Sequence, residues 1–113
     1  MARGLINNRA MDATRQANAA EEARLVRARG VVQGVGFRET CVRYARRHGI
    51  AGWVRNRRDG SVEALLQGAP QQLGQMCDWL RAGVPGARVD ALEVQAMAVP
   101  SPRLEGFERL PTM

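Results

Sequence analysis

The chain contains a glycine-rich stretch, Gly30-Val31-Val32-Gln33-Gly34-Val35-Gly36-Phe37-Arg38, where the periodicity of the sequence changes. Residues 24–32 alternate in character from one position to the next, which predicts a strand. After the glycines, apolar side chains recur every three or four positions and predict an amphipathic helix over 37–48. A glycine turn between a strand and a helix leaves the first N–H groups of the helix without partners. The stretch therefore predicts a strand-helix unit whose turn offers an anion site, although a glycine turn of this kind on its own is more often only structural.

The remaining elements follow this unit in a regular order. Extended segments at 50–55 and 61–67 flank an Asp-Gly pair, which is typical of a hairpin turn. Pro70 begins a second helical pattern, and further strands are predicted around 89–97 and 107–110. This order predicts an α+β fold, a ferredoxin-like βαββαβ sandwich. We expect two helices on one face of a mostly antiparallel sheet of four or five strands.

The length of 113 residues suits a single domain with one hydrophobic core. Residues 1–22 lack a strong apolar periodicity, so we expect a flexible N-terminal tail there and a folded domain over 23–113. No stretch reaches the ~18 apolar residues of a membrane span, and the N-terminus does not resemble a signal peptide. Cys41 and Cys77 fall on apolar helix stripes, which predicts buried, reduced thiols. These features indicate a cytoplasmic monomer.

The net charge of +6 is unevenly distributed along the chain. Residues 24–60 carry ten arginines against Glu39 and Asp59, whereas residues 61–113 carry four arginines and six acids. A positive field concentrated in this way attracts anions, either a small phosphate or a nucleic-acid backbone. Neither the two cysteines nor the single His48 matches the spacing of a metal site, so we expect no metal and no other cofactor.

Arg38 adds a side chain to the predicted anion site. One residue into the helix, its planar guanidinium can bind two phosphate oxygens at once. Gly34 and Gly36 have no Cβ to obstruct an anion, and they can adopt positive φ. The stretch lacks the lysine of an ATP-binding P-loop and breaks the spacing of a dinucleotide-binding motif. Neither nucleotide fold is therefore supported.

A second motif, Gly52-Trp53-Val54-Arg55-Asn56-Arg57-Arg58-Asp59-Gly60-Ser61-Val62 followed by Gly68, makes the interpretation more specific. The two motifs in this order resemble the two signatures of the acylphosphatase family, and the resemblance covers about residues 24–113. It implies hydrolysis of the carboxyl-phosphate bond of acyl phosphates without a cofactor. It also implies that Arg38 binds the phosphate and that Asn56 holds the attacking water.

The same resemblance implies which residues bind the substrate phosphate. They are Val32, Gln33, Gly34, Val35, Gly36, Phe37 and Arg38. An acyl phosphate has a good carboxylate leaving group, so charge stabilisation and a positioned water matter more than a strong base. The Asn56 amide can accept from water and donate to an oxygen, and it does not ionise. Inorganic phosphate and sulfate are then expected as competing anions.

Several residues of these motifs also fit structural roles. Asn56 beside a turn could adopt a left-handed backbone conformation. We interpret Trp53 and Phe37 as anchors of the core. The other arginines of the second motif are interpreted as a solvated rim that steers anions inward: Arg55, Arg57 and Arg58.

The strongest rival function is an RNA-binding ferredoxin-like module. Such modules stack bases on exposed aromatics of the central strands, and this chain has five aromatic residues without that pattern, which disfavours nucleic acid as a partner. A module that binds phosphate without turnover is disfavoured by the presence of both Arg38 and Asn56. Carbamoyl-phosphate-processing maturation proteins, whose N-terminal domain resembles acylphosphatase, are far longer and carry zinc-binding cysteines.

Overall fold

A computed structural model describes residues 21–113 of the chain. Within this range the chain forms five strands and two helices, in the predicted order. The elements are β1 (Glu22–Val31), α1 (Phe37–Arg47), β2 (Ala51–Asn56), β3 (Val62–Gly68), α2 (Pro70–Ala82), β4 (Arg88–Met97) and β5 (Phe107–Arg109). Residues 1–20 of the predicted tail lie outside the described residues, and Glu22, its last residue, begins β1.

The strands form one sheet in the order β4-β1-β3-β2-β5. β1 pairs antiparallel with β3 and β4, and β2 pairs antiparallel with β3. The short β5 runs parallel to β2. A mostly antiparallel five-stranded sheet with two helices packed on it confirms the predicted ferredoxin-like fold class.

The hydrophobic core lies between the sheet and the helices, each of which buries one apolar stripe. The buried helix residues are Phe37, Cys41, Val42 and Ala45 of α1 and Leu73, Met76, Cys77 and Leu80 of α2. Val26, Val54 and Leu66 meet them from the sheet. Both thiols are buried as predicted, and desolvation raises the pKa of Cys41 to about 12. Buried in the core with a raised pKa, that thiol packs as a small apolar residue.

The connection through α1 determines which strand ends meet. β1 and β2 both run antiparallel to β3, which lies between them, so their C-terminal ends reach the same end of the sheet. Ala28 of β1 and Asn56 of β2 both pair with Val62 of β3. β5 runs parallel to β2 and places Arg109 beside Val54, near this same end. The glycine-rich loop, the end of β2 and the end of β5 are therefore neighbours.

The face of the sheet away from the core is called the open face here, and Arg27, Trp53, Arg55 and Glu63 lie on it. Successive strand residues point to opposite faces, and these four alternate with the buried positions of their strands. The segment between β4 and β5 is tied to one end of this face. There the Leu104 N–H donates to Oε1 of the buried Gln67 at 3.1 Å.

Candidate active site

A small pocket opens where the glycine-rich loop meets the ends of β2 and β5. Its volume is about 100 Å³. Three separate segments supply its lining, which consists of Val32, Gly34, Gly36, Phe37, Arg38, Glu39, Asn56 and Arg109. Arg38 and Asn56, the two residues with predicted catalytic roles, thus line the same pocket although they come from different elements.

The backbone of the glycine-rich loop offers hydrogen-bond donors to this pocket. Gly34 and Gly36 have φ values of 76° and 78°, in the left-handed region that glycine adopts without strain. Gly36 is the N-cap of α1, and its carbonyl accepts the Thr40 N–H at 3.0 Å and the Thr40 hydroxyl at 2.8 Å. The N–H groups of the first helical turn have no acceptor within the helix, so those of 37–39 can serve an anion. The helix dipole adds positive potential at the same place.

The side chains of Arg38 and Asn56 are not used by the rest of the described structure. Among residues 21–113, no carboxylate pairs with Arg38, and no protein group hydrogen-bonds to the Asn56 amide. Asn56 is the last residue of β2, and no non-glycine residue in the described range has a positive φ. The left-handed turn interpretation of Asn56 is therefore wrong. Both polar side chains are available to a ligand.

Gln33 holds the glycine-rich loop in place with its side chain. Its Nε2 donates to the carbonyls of Arg57 and Ser61, both at 2.8 Å. These two carbonyls belong to the hairpin that follows Asn56, so the amide ties the glycine-rich loop to the segment that carries Asn56. Gln33 is one of the predicted phosphate-binding residues. Its backbone N–H can donate to an anion, whereas its side-chain nitrogen is already used in these two hydrogen bonds.

The apolar residues of the predicted phosphate-binding set anchor the loop. Val32 and Phe37 are buried, and Val35 packs against the core. The core role predicted for Phe37 is confirmed. These side chains fix the two ends and the middle of the loop, and the polar groups they leave for a ligand are those of the backbone.

Arg55 and Arg57 do not form the solvated rim that the sequence predicted. Glu63 lies on the open face with 5% exposure, and it receives ion pairs from Arg27 at 2.9 Å, Arg55 at 2.8 Å and Arg57 at 3.6 Å. Burial alone would raise the pKa of Glu63, but the hydrogen bonds from Arg27 and Arg55 and the neighbouring positive charges lower it. Of the three predicted rim residues, Arg58 alone is exposed.

Trp53 also differs from its predicted position. It is half-buried on the open face rather than in the core, and the Arg55 guanidinium lies 4.6 Å from the centre of its ring. The prediction was wrong because Trp53 alternates with Val54, which takes the core side of β2. The contact is a cation-π interaction that further holds Arg55 on the open face.

The turn between β2 and β3 is closed by Asp59, as its predicted turn role requires. Asp59 Oδ1 accepts the Ser61 N–H at 2.9 Å and the Ser61 hydroxyl at 2.6 Å, and Oδ2 lies 3.3 Å from Arg29 Nη1. The Ser61 hydrogen bonds, followed by the Arg29 interaction, lower the pKa of Asp59 to about 2. This turn supports the carbonyls that Gln33 uses.

The pocket includes two charged residues to which the sequence interpretation gave no site role, Glu39 and Arg109. Arg109 Nη1 lies 3.8 Å from Glu39 Oε2, and Arg43 Nε lies 3.8 Å from Glu39 Oε1. Glu39 directly follows Arg38, so its place beside the loop was readable from the sequence. Arg109 had no such signal, because it belongs to a three-residue strand far along the chain whose pairing with β2 is set by the fold.

The described residues contain no group of three or more His, Cys, Asp or Glu side chains that could hold a metal ion. The charges at the pocket are those of arginine, glutamate and the backbone dipoles. None of the helices in residues 21–113 is both long and apolar enough to cross a membrane.

Comparison with known proteins gives a consistent set of relatives. The sequence model of the acylphosphatase family matches residues 25–109. An acylphosphatase of Polaromonas naphthalenivorans is 60% identical over 89 residues, which cover 79% of this chain and 88% of the relative. Acylphosphatase 1 of Ralstonia nicotianae is 58% identical over 95 residues, covering 84% and 93%. A solved acylphosphatase structure from Coxiella burnetii has a TM-score of 0.77 at 29% identity and covers 84% of this chain and 98% of its own.

Proposed function

Since this chain belongs to the acylphosphatase family, we propose that its reaction takes place in the pocket at the N-terminus of α1, with Arg38 and Asn56 as catalytic residues. Acylphosphatases hydrolyse the carboxyl-phosphate bond of acyl phosphates, and this hydrolysis is the activity of the chain. The observation that carries the assignment is that Arg38, Asn56 and the unpaired start of α1 line one pocket.

The phosphoryl group is bound by the loop of residues 32–38. Backbone N–H groups from the loop and the first turn of α1 surround its oxygens, and Gly34 and Gly36 let the anion approach without a Cβ in the way. The Arg38 guanidinium binds two oxygens and takes up charge that develops in the transition state. The donors are fixed before the substrate arrives, because Gln33, Val32 and Phe37 hold the loop.

Asn56 positions the water that attacks phosphorus. Its amide oxygen accepts a hydrogen bond from the water, and its amide nitrogen donates to a phosphoryl oxygen. The water oxygen forms the new bond to phosphorus, while the bond from phosphorus to the acyl oxygen breaks and its electron pair leaves with the carboxylate. A phosphoryl oxygen accepts the proton of the water, so the products are a carboxylate and inorganic phosphate.

This arrangement explains the partners that we propose for the chain. The substrate is a small acyl phosphate, and inorganic phosphate or sulfate competes for the same donors. An RNA-binding role is disfavoured, because the arginines at 27, 55 and 57 on the open face are paired with Glu63. We further propose a metal-independent monomer in the cytoplasm; for the location, the support is that both cysteines are free and buried, as in a reducing compartment.

The test is hydrolysis of benzoyl phosphate, followed by ultraviolet absorbance in excess EDTA. Wild type is compared with Arg38→Ala, with Asn56→Ala and with Arg47→Ala, which removes the same charge from the far end of α1. We expect turnover that survives chelation, is lost in the first two variants and is retained in the third. Turnover in Arg38→Ala or Asn56→Ala close to that of wild type would reject the assignment of the site.

A further inference from the structure

Arg109 lines the exposed part, or mouth, of the pocket, where its guanidinium faces Glu39 of α1. The lining residues differ in exposure: Val32 and Phe37 are buried, Arg38 and Asn56 are partly exposed, and Arg109 has a side chain that is 54% exposed. An acyl phosphate whose phosphoryl group lies on the loop must extend its acyl half through this mouth. The other exposed charged side chain of the lining is Glu39, the contact of Arg109, so the acyl half emerges beside this pair.

The register of β5 directs the Arg109 side chain toward the pocket. Arg109 pairs with Val54, and side chains of paired residues point to the same face of a sheet. Val54 is fully buried on the core side, so Arg109 points to that side as well. Asn56 lies two residues beyond Val54 on the same face. The guanidinium is thus aimed at the pocket by the sheet and not by a flexible loop.

Arg109 is only weakly engaged by its protein neighbours. Its contact with Glu39 is 3.8 Å long, beyond hydrogen-bond distance, and the second oxygen of Glu39 is approached by Arg43 at the same separation. The group formed by Arg43, Glu39 and Arg109 has a net charge of +1. A ligand anion at the mouth would therefore meet a guanidinium that has donors to spare.

We propose that Arg109 binds a second anionic group, a carboxylate or phosphate on the acyl half, and so determines which acyl phosphates are preferred. This inference rests on the proposed function of the pocket. Arg38 and the loop bind the phosphoryl group that reacts, and Arg109 binds the charge at the other end of the substrate. The enzyme then selects acyl phosphates with a negatively charged acyl half over neutral ones of the same size.

The experiment compares two substrates at low ionic strength, benzoyl phosphate and 4-carboxybenzoyl phosphate. They share the same acyl phosphate group, and only the second carries a carboxylate on the acyl half. Wild type is compared with Arg109→Gln and Arg109→Lys, and Arg47→Gln is the matched loss of charge outside the pocket. We expect Arg109→Gln to lower kcat/KM for 4-carboxybenzoyl phosphate about tenfold, mainly through KM, and to change benzoyl phosphate less than about twofold. The lysine variant should retain most of the preference, and Arg47→Gln should leave it unchanged.

Salt supplies a second readout, because the contact is partly exposed. The preference for the carboxylated substrate in wild type should decrease between low and high ionic strength more than it does in Arg109→Gln. Equal losses on both substrates, or no loss on either, would overturn the proposal. Failure of the proposed function is distinguishable, since wild type would then fail to hydrolyse benzoyl phosphate or Arg38→Ala would retain activity.

Discussion

Two groups of arginines in this molecule differ in what they contact. On the open face, Arg27, Arg55 and Arg57 surround the buried carboxylate of Glu63. At the pocket, Arg38 has no ion-pair partner among residues 21–113, and Arg109 has only a distant one. The first group is bound by the protein itself, whereas the second is left for a ligand. The number of arginines alone does not distinguish structure from function.

Asn56 shows how sharply the two regions are separated. It stands between Arg55 and Arg57 in the sequence, yet strand alternation turns it to the core side while both neighbours turn to the open face. The carboxylate of Glu63 offsets the repulsion between Arg55 and Arg57, because both arginines pair with it on the open face. The pocket therefore receives one neutral amide from a highly basic segment.

The largest effect should come from the unpaired arginine. Arg38→Ala removes a donor from the proposed anion site, so we expect kcat/KM for benzoyl phosphate to decrease about 10³-fold. The free energy of unfolding should change by less than about 0.5 kcal/mol, since no ion pair within residues 21–113 is broken. Steady-state kinetics and urea denaturation together measure both. A large loss of stability in this variant would show that Arg38, like the arginines around Glu63, has a structural role.

For Glu63→Gln we expect a loss of stability with little change in activity, the reverse of the result for Arg38→Ala. The Glu63 substitution leaves three arginines around a neutral side chain, and because all three are partly exposed we expect a loss of about 2 kcal/mol rather than that of a fully buried charge network. Activity of the folded protein should stay within about twofold of wild type. Urea denaturation followed by tryptophan fluorescence measures the loss. The control is Glu93→Gln, an exposed partner of Arg29, with less than about 0.5 kcal/mol expected.

Gln33 connects the two regions and should show a smaller, mixed effect. Gln33→Met removes both hydrogen bonds to the hairpin, which should lower stability by about 1 kcal/mol. The loop is then less well positioned, so kcat/KM should decrease about tenfold. Gln72→Met, which removes one exposed hydrogen bond to the His48 carbonyl, is the matched control. Normal kinetics in the Gln33 variant would show that the bonds to the hairpin do not position the loop.

The smallest effect is expected for Asp59, in the turn between β2 and β3, and it appears only at acidic pH. The pKa of Asp59 in the folded protein is about 2, below its usual 3.8, so its carboxylate contributes stability above about pH 4 and loses it as the pH falls through 2. Asp59→Asn should therefore weaken the pH dependence of the unfolding free energy between pH 4 and pH 2. Denaturation curves at several pH values measure this dependence. Identical curves for variant and wild type would show that Asp59 is not linked to folding.

Much of the fold was predictable because local patterns dominate it. The order of elements, the glycine-rich turn and the two helix stripes follow from periodicity and from residues with restricted backbone preferences. Trp53 was misplaced, since large aromatic residues usually lie in the core and alternation overrides that tendency in β2. The ion pairs of Arg55 and Arg57 could not be predicted, because they depend on Glu63 in the next strand.

The two motifs, the family they indicate, and Arg38 and Asn56 as candidate site residues can all be read from short stretches of the sequence. These properties reside in short stretches whose chemistry does not depend on the rest of the chain. The tertiary structure alone decided that β1, β2 and β5 end side by side, that Gln33 ties the loop to the hairpin, and that Arg109 reaches the pocket. Each of these contacts joins residues distant along the chain, and sheet order and register, which no local pattern encodes, bring them together.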